Sequence, residues 1–231
     1  MRGLQGEAEA GRSNLDLDIH RVVRRLRSAS KEWVLPAVSQ VSEETRDPFR
    51  ILISCLLSLR TKDAVTAQAS ARLFARARTP QQLLNLPKAA IRKLIYPVAF
   101  YRVKSKRIHQ ICRHLLGRFF GKVPDSLEEL LTLPGVGRKT ANLVVTLGFK
   151  KLGICVDTHV HRISNRLGYV KTKTPEKTET ALRAKLPKRY WIQYNDLLVS
   201  FGQTICRPIS PWCSRCPIEK TCSKVGVNHS R

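Results

Sequence analysis

Four cysteines, Cys206, Cys213, Cys216 and Cys222, follow the spacing C-x6-C-x2-C-x5-C in a proline-containing stretch near the end of the chain. Thiolates this close together on irregular backbone can enclose one metal centre, and their chemistry alone permits zinc or iron–sulfur. The other three, Cys55, Cys112 and Cys155, stand singly in apolar stretches and read as core filler. A second chemical signature is the run Leu133-Pro134-Gly135-Val136-Gly137-Arg138. Its two glycines allow a tight turn and a close approach of backbone to a ligand. The amides of Gly135 and Gly137, at the head of the next helix, form an anion site to which Arg138 adds charge, and a DNA phosphate fits it. Gly-x-Gly by itself also serves ordinary helix–helix turns. The full run LPGVGRKTA, set between a capped helix and an apolar one, is what a helix-hairpin-helix requires.

The elements that must position these groups are helices. Capping and stop signals recur at short intervals and no convincing period-2 strand interrupts them, so the fold class is all-α. Asp47-Pro48 opens a helix over Phe49 to Leu59 that is apolar nearly all round and should be central and buried. Thr79-Pro80 opens a short one, and Ile108, Ile111, Cys112, Leu115, Leu116 and Phe119 make an apolar face ending at Gly121. Ser126 and Glu129 form a capping box before the hairpin, and a helix from about Arg138 to Leu147 follows it. Asp157 caps the next helix, which Gly168 ends; Thr174-Pro175 starts another, and the last runs roughly from Tyr190 to Thr204. Residues 1–17 are polar and aperiodic and read as a disordered tail.

The 231 residues hold 42 Lys+Arg against 17 Asp+Glu, a formal net charge of +25. A balance so basic, spread along the chain rather than gathered in one tail or one amphipathic helix, points to a nucleic acid and away from a lipid surface. No secretory core segment and no run of 18 apolar residues is present, so the expectation is a soluble, cytoplasmic, nucleoid-associated monomer with no membrane partner.

At LPGVGRKTANLVV and at VDTHVHR, whose aspartate lies eighteen residues past the lysine, the sequence resembles the endonuclease III family of DNA glycosylases, over about Asp18 to Cys222. The resemblance implies that Lys139 is a nucleophile and Asp157 its partner. It also implies that the four cysteines hold a 4Fe-4S cluster, structural in purpose, and that the substrate is double-stranded DNA carrying an oxidised pyrimidine or an abasic site. The chemistry those roles need is attack of a neutral amine on C1′, loss of the base, a Schiff base and β-elimination. A free lysine has a pKa of about 10.4, so such a site must favour the neutral amine, and Asp157 is expected a few ångströms away as a helix N-cap rather than in direct contact. The base must also leave the stack. The resemblance places two loops there, one carrying Arg60 and Lys62 and the other Phe100 and Arg102, with Phe100 as the wedge. Relatives usually carry glutamine where this chain has Arg60, which can donate but not accept; a plain phosphate contact is the other reading of Arg60.

The architecture implied is a continuous six-helix domain over 42–151 ending in the hairpin, and a cluster domain joining 18–41 to 152–231, with the active site in the cleft between. Two alternatives stand beside the bifunctional glycosylase–lyase. One is a monofunctional mismatch glycosylase, whose adenine-type members have a catalytic glutamate where this chain has Cys55; the other is a non-catalytic DNA-binding module.

Overall fold

The computed structural model describes residues 17–231, and every described element is helical. The expected tail lies outside the described residues apart from Leu17, which packs against a core. Two hydrophobic cores organise the chain. The first gathers side chains from Val38 to Cys155, and the second joins Ile19, Val22, Val23 and Leu26 to residues between Ile154 and Ile218.

Helix α3 (Pro48–Ser58) is the axis of the first core, with Ile51, Leu52, Ile53 and Leu57 fully enclosed. Its start is set locally, because the Asp47 side chain accepts from the Phe49 amide at 2.9 Å and Pro48 occupies the first turn. Burying each such Leu or Ile side chain is worth about 1.5–3 kcal/mol, which outweighs the weak helix preference of the β-branched isoleucines. Against it pack α2 (Ala37–Thr45), α4 (Asp63–Arg76), α7 (Tyr101–Phe119) and α9 (Arg138–Leu143), while α5 (Pro80–Asn85) and α6 (Lys88–Ile95) lie on α7 and α8 (Leu127–Leu131) on α9. Eight helices lie between residues 37 and 143.

Helix α9 widens into a π turn over Val144–Gly148 and then crosses to the second core. There α1 (Ile19–Ala29), α10 (Thr158–Arg166), α11 (Pro175–Lys185) and α12 (Trp191–Thr204) pack together, and the cysteine-bearing segment follows. Polar bonds tie the two cores across their junction. Ser39 donates to Asp196 at 2.7 Å, Gln203 to Asp63 at 3.1 Å, Asn195 to the Cys155 carbonyl at 3.2 Å, and Arg138 to Glu179 at 2.8 Å. No described helix is long and apolar enough to cross a membrane.

Candidate active site and cysteine cage

The hairpin forms as its residues dictate. Ser126 accepts from the Glu129 amide at 3.2 Å and donates through its hydroxyl to the Glu129 carboxylate at 2.9 Å, capping the head of α8. The Val136 amide then closes a turn onto the Leu133 carbonyl at 3.1 Å, and Gly135 sits at φ +78°, a region closed to most side chains. Buried Val136 pins the turn to the first core while Gly135 and Gly137 stay exposed. Lying over this turn is Arg107 of α7, whose Cδ would stand 3.1 Å from a Cβ at Gly135.

Arg138 is also engaged within the protein. Its Nε and one terminal nitrogen bond both carboxylate oxygens of Glu179, at 2.8 and 3.0 Å, so that edge of the guanidinium braces α9 against α11. Glu179 is 5% exposed and also accepts from Arg183 at 2.9 Å. Burial alone would raise its carboxyl, but the two arginines outweigh burial and hold it below the usual carboxylate range.

Lys139, one residue on, lines an open cavity of about 670 Å³ together with Asp157, Arg60, Lys62, His159 and Asn195. Helix α9 brings the lysine from the first core and the N-terminus of α10 brings the aspartate from the second. Asp157 Oδ1 accepts the His159 and Val160 amides, each at 2.9 Å, and its other oxygen has no hydrogen-bond partner among the described residues. Among those residues no ion pair within 4.0 Å involves Lys139. Behind the lysine lie two buried thiols. Burial pushes Cys55 up to about 12 and Cys155 well above its ordinary value, although the Lys139 charge opposes both, so both thiols stay neutral. His159 is lowered, chiefly by burial, while Asp157 opposes; as a neutral ring it accepts from Arg162 at 3.1 Å.

The two loops expected near the lesion touch. Arg60 and Phe100 both adopt positive φ, 55° and 57°, and the Arg60 guanidinium stands 5.1 Å from the Phe100 ring centroid. Phe100 is 55% exposed at the head of α7. Lys62 precedes α4 and lines the cavity, whereas Arg102 lies outside that lining, its Nε donating to the Tyr101 hydroxyl at 3.3 Å. Sequence reasoning missed Arg107, Glu179 and His159, and also Lys104, which is 5% exposed. Lys104 carried one readable signal: it stands four residues before Ile108, on the apolar face of α7.

Cys206, Cys213, Cys216 and Cys222 line one small cavity, walled by Ile163, Leu167, Phe201 and Ile218. Arg166 donates to Cys206 Sγ at 3.4 Å and the Lys224 amide to Cys222 Sγ at 3.4 Å, the donors that thiolate charge requires. Among the described residues no three Cys, His, Asp or Glu side chains converge closely enough for a single ion. Four cysteine sulfurs around one shared space, with hydrogen-bond donors to two of them, fit a thiolate-bound metal or iron–sulfur centre.

The family of HhH-GPD superfamily base excision DNA repair proteins matches residues 53–188. Endonuclease III of Thermotoga maritima is 53% identical over 176 residues, covering 76% of this chain and 83% of that protein. Endonuclease III-like protein 1 of Mus musculus is 46% identical over 177 residues, covering 75% and 59%. For the chloroplastic endonuclease III homolog 1 of Arabidopsis thaliana the figures are 44% over 187 residues, 77% and 49%, so the chain spans about half the length of that plant relative. A non-covalent endonuclease III–DNA complex superposes with a TM-score of 0.79 at 32% identity, covering 89% of this chain and 94% of that one. A trapped endonuclease III–DNA covalent intermediate superposes with a TM-score of 0.76 at 33% identity, covering 89% and 95%. The chain belongs to the HhH-GPD superfamily and, within it, to the endonuclease III family.

Proposed function

We propose that this chain is a base-excision DNA glycosylase with abasic-site lyase activity, acting as a monomer on oxidised pyrimidines in duplex DNA, with Lys139 as nucleophile and Asp157 as its partner. The observation that carries the reading is that these two side chains, brought by helices of the two cores, line the same cavity without pairing. The Lys139 amine attacks C1′ of an extruded nucleotide, the C1′–N bond breaks, and the departing base takes up a proton. Ring opening leaves an iminium between Nζ and C1′; loss of a C2′ proton then expels the 3′ phosphate, and water hydrolyses the Schiff base. Asp157, anchored by two amides through Oδ1, turns its other oxygen to the positive charge that develops on the sugar and to the protons in transit. Its distance from the lysine matters, because a tight ion pair would lock the ammonium that must lose its proton.

Gly135 and Gly137 hold a backbone phosphate by their amides, with Arg107 over the turn supplying charge and Lys62 adding charge at the cavity. Arg60 and Phe100, already in contact, enter the gap left by the extruded nucleotide. The four cysteines hold a 4Fe-4S cluster, which when bound supplies cross-links rather than a chemical step. It fixes the segment that presents exposed Arg207, Arg215 and Lys220 to DNA.

Borohydride trapping on a duplex containing an abasic site tests the assignment. Wild type forms a covalent adduct, Lys139→Ala forms none, and Asp157→Asn forms it more slowly. A wild type that binds the duplex but never traps ends the lyase reading.

A further inference from the structure

Lys104 is the most deeply enclosed lysine the mechanism leaves unused. It lies one turn into α7, its amide bonded to the Phe100 carbonyl at 2.9 Å, and its side chain points away from solvent. Its Nζ donates to the carbonyls of Leu57 and Leu59, at 2.8 and 2.6 Å, and to the Thr61 hydroxyl at 3.2 Å. Those carbonyls are the open end of α3, where a cation is favoured by the helix dipole. Thr61 in turn accepts from the Ala99 amide at 3.2 Å and donates to the Leu59 carbonyl at 3.3 Å, so every hydrogen-bonding position of its hydroxyl is filled.

One ammonium and one hydroxyl therefore join the turn that carries Arg60 to the turn that carries Phe100. Both apical residues sit at positive φ, a conformation that persists only where the surroundings hold it. Among the described residues no carboxylate lies within ion-pair distance of Lys104. Burial lowers its ammonium to about 8, and three acceptors of local chain retain it instead of an acid. A leucine or methionine would satisfy the apolar face of α7; what it could not do is hold the two loops in one orientation.

We propose that Lys104 is a positioning residue that makes the Arg60 and Phe100 loops a single rigid strand-opening unit, so that its loss impairs nucleotide extrusion rather than the chemistry at Lys139. This rests on the reading of Arg60 and Phe100 as the residues that enter the gap, and the test separates the two ideas. Adduct formation by borohydride trapping is compared on a duplex abasic site, which needs extrusion, and on the same abasic strand unpaired, which does not. A 2-aminopurine beside the site reports opening directly.

For Lys104→Met, adduct formation falls about tenfold or more on the duplex and less than about twofold on the single strand, with a matching loss of the 2-aminopurine rise. Thr61→Val, which keeps the shape and removes the hydroxyl link, shows the same selectivity at smaller size. Arg60→Ala and Phe100→Ala serve as the reference pair. If they show no selective loss, the strand-opening reading itself fails. If they do, yet Lys104→Met and Thr61→Val both behave like wild type, the positioning role is overturned. Equal loss on both substrates by Lys104→Met, with Thr61→Val unaffected, overturns it as well.

Discussion

Replacing Arg138 with alanine decides whether that guanidinium grips DNA or braces the protein. In the structure it makes two charge-assisted bonds, 2.8 and 3.0 Å, to a glutamate that is 5% exposed, while its own side chain is 49% exposed. Bonds to charged groups are worth about 1.5–3 kcal/mol when buried, but half-exposed arginine regains water on leaving, and Arg183 still satisfies one oxygen of Glu179; about 1–2 kcal/mol is the consistent estimate. For a chain of this size each kcal/mol moves the melting temperature by about 2–4 °C, so Arg138→Ala melts about 2–8 °C lower. Glu179→Ala leaves two arginines unpaired, and the double variant should lose about 1 kcal/mol less than the sum of the singles. Acid dependence follows from the lowered carboxyl. The contribution is present above the ordinary carboxylate pKa and disappears as pH falls through the lower folded-state value, so wild type and Glu179→Gln converge in stability at strongly acid pH. Measured against salt, DNA affinity of Arg138→Ala keeps the wild-type slope. A slope shallower by about one phosphate contact, together with an unchanged melting temperature, would refute the brace and restore the phosphate contact expected from the sequence.

Gly202→Ala drives a methyl into His159 Nδ1 and places it 2.9 Å from an Arg162 nitrogen; forcing that ring aside lowers stability by about 1–3 kcal/mol, readable by thermal unfolding, and slows trapping by disturbing the wall of the Lys139 cavity. Burial pushes the Asp196 carboxyl up to about 6, so the unfolded chain gives up its proton first and stability falls as pH rises from about 4 to about 6. Asp196→Asn, which can still accept from Ser39, flattens that fall and gains about 1–2 kcal/mol at pH 7 in denaturant titration. Cys216→Ser removes visible absorbance and iron from the purified protein and lowers its melting temperature, whereas a colourless wild type carrying one zinc per chain would rule out the cluster.

Much of the fold was legible because its signals act over a few residues. Asp47, Thr79, Ser126, Asp157 and Thr174 each cap a helix by accepting an amide two or three positions ahead, so no distant partner is needed to fulfil them. The apolar periods of α3, α7 and α12 and the glycine turn before α9 are local in the same sense. Candidate chemistry was legible too, since LPGVGRK, VDTH and the cysteine spacing are contiguous motifs. What only the tertiary structure decided is which of these groups share a space and which arginine or lysine is already engaged. Arg138 meets Glu179 across 41 residues, Lys104 meets Leu57 across 47, and Lys139 and Asp157 come to one cavity from separate cores. No local pattern encodes such pairings, because each depends on the path by which two hydrophobic cores return the chain to itself. A side chain that looks free in the sequence is claimed by whichever charge or carbonyl that path brings within hydrogen-bonding reach.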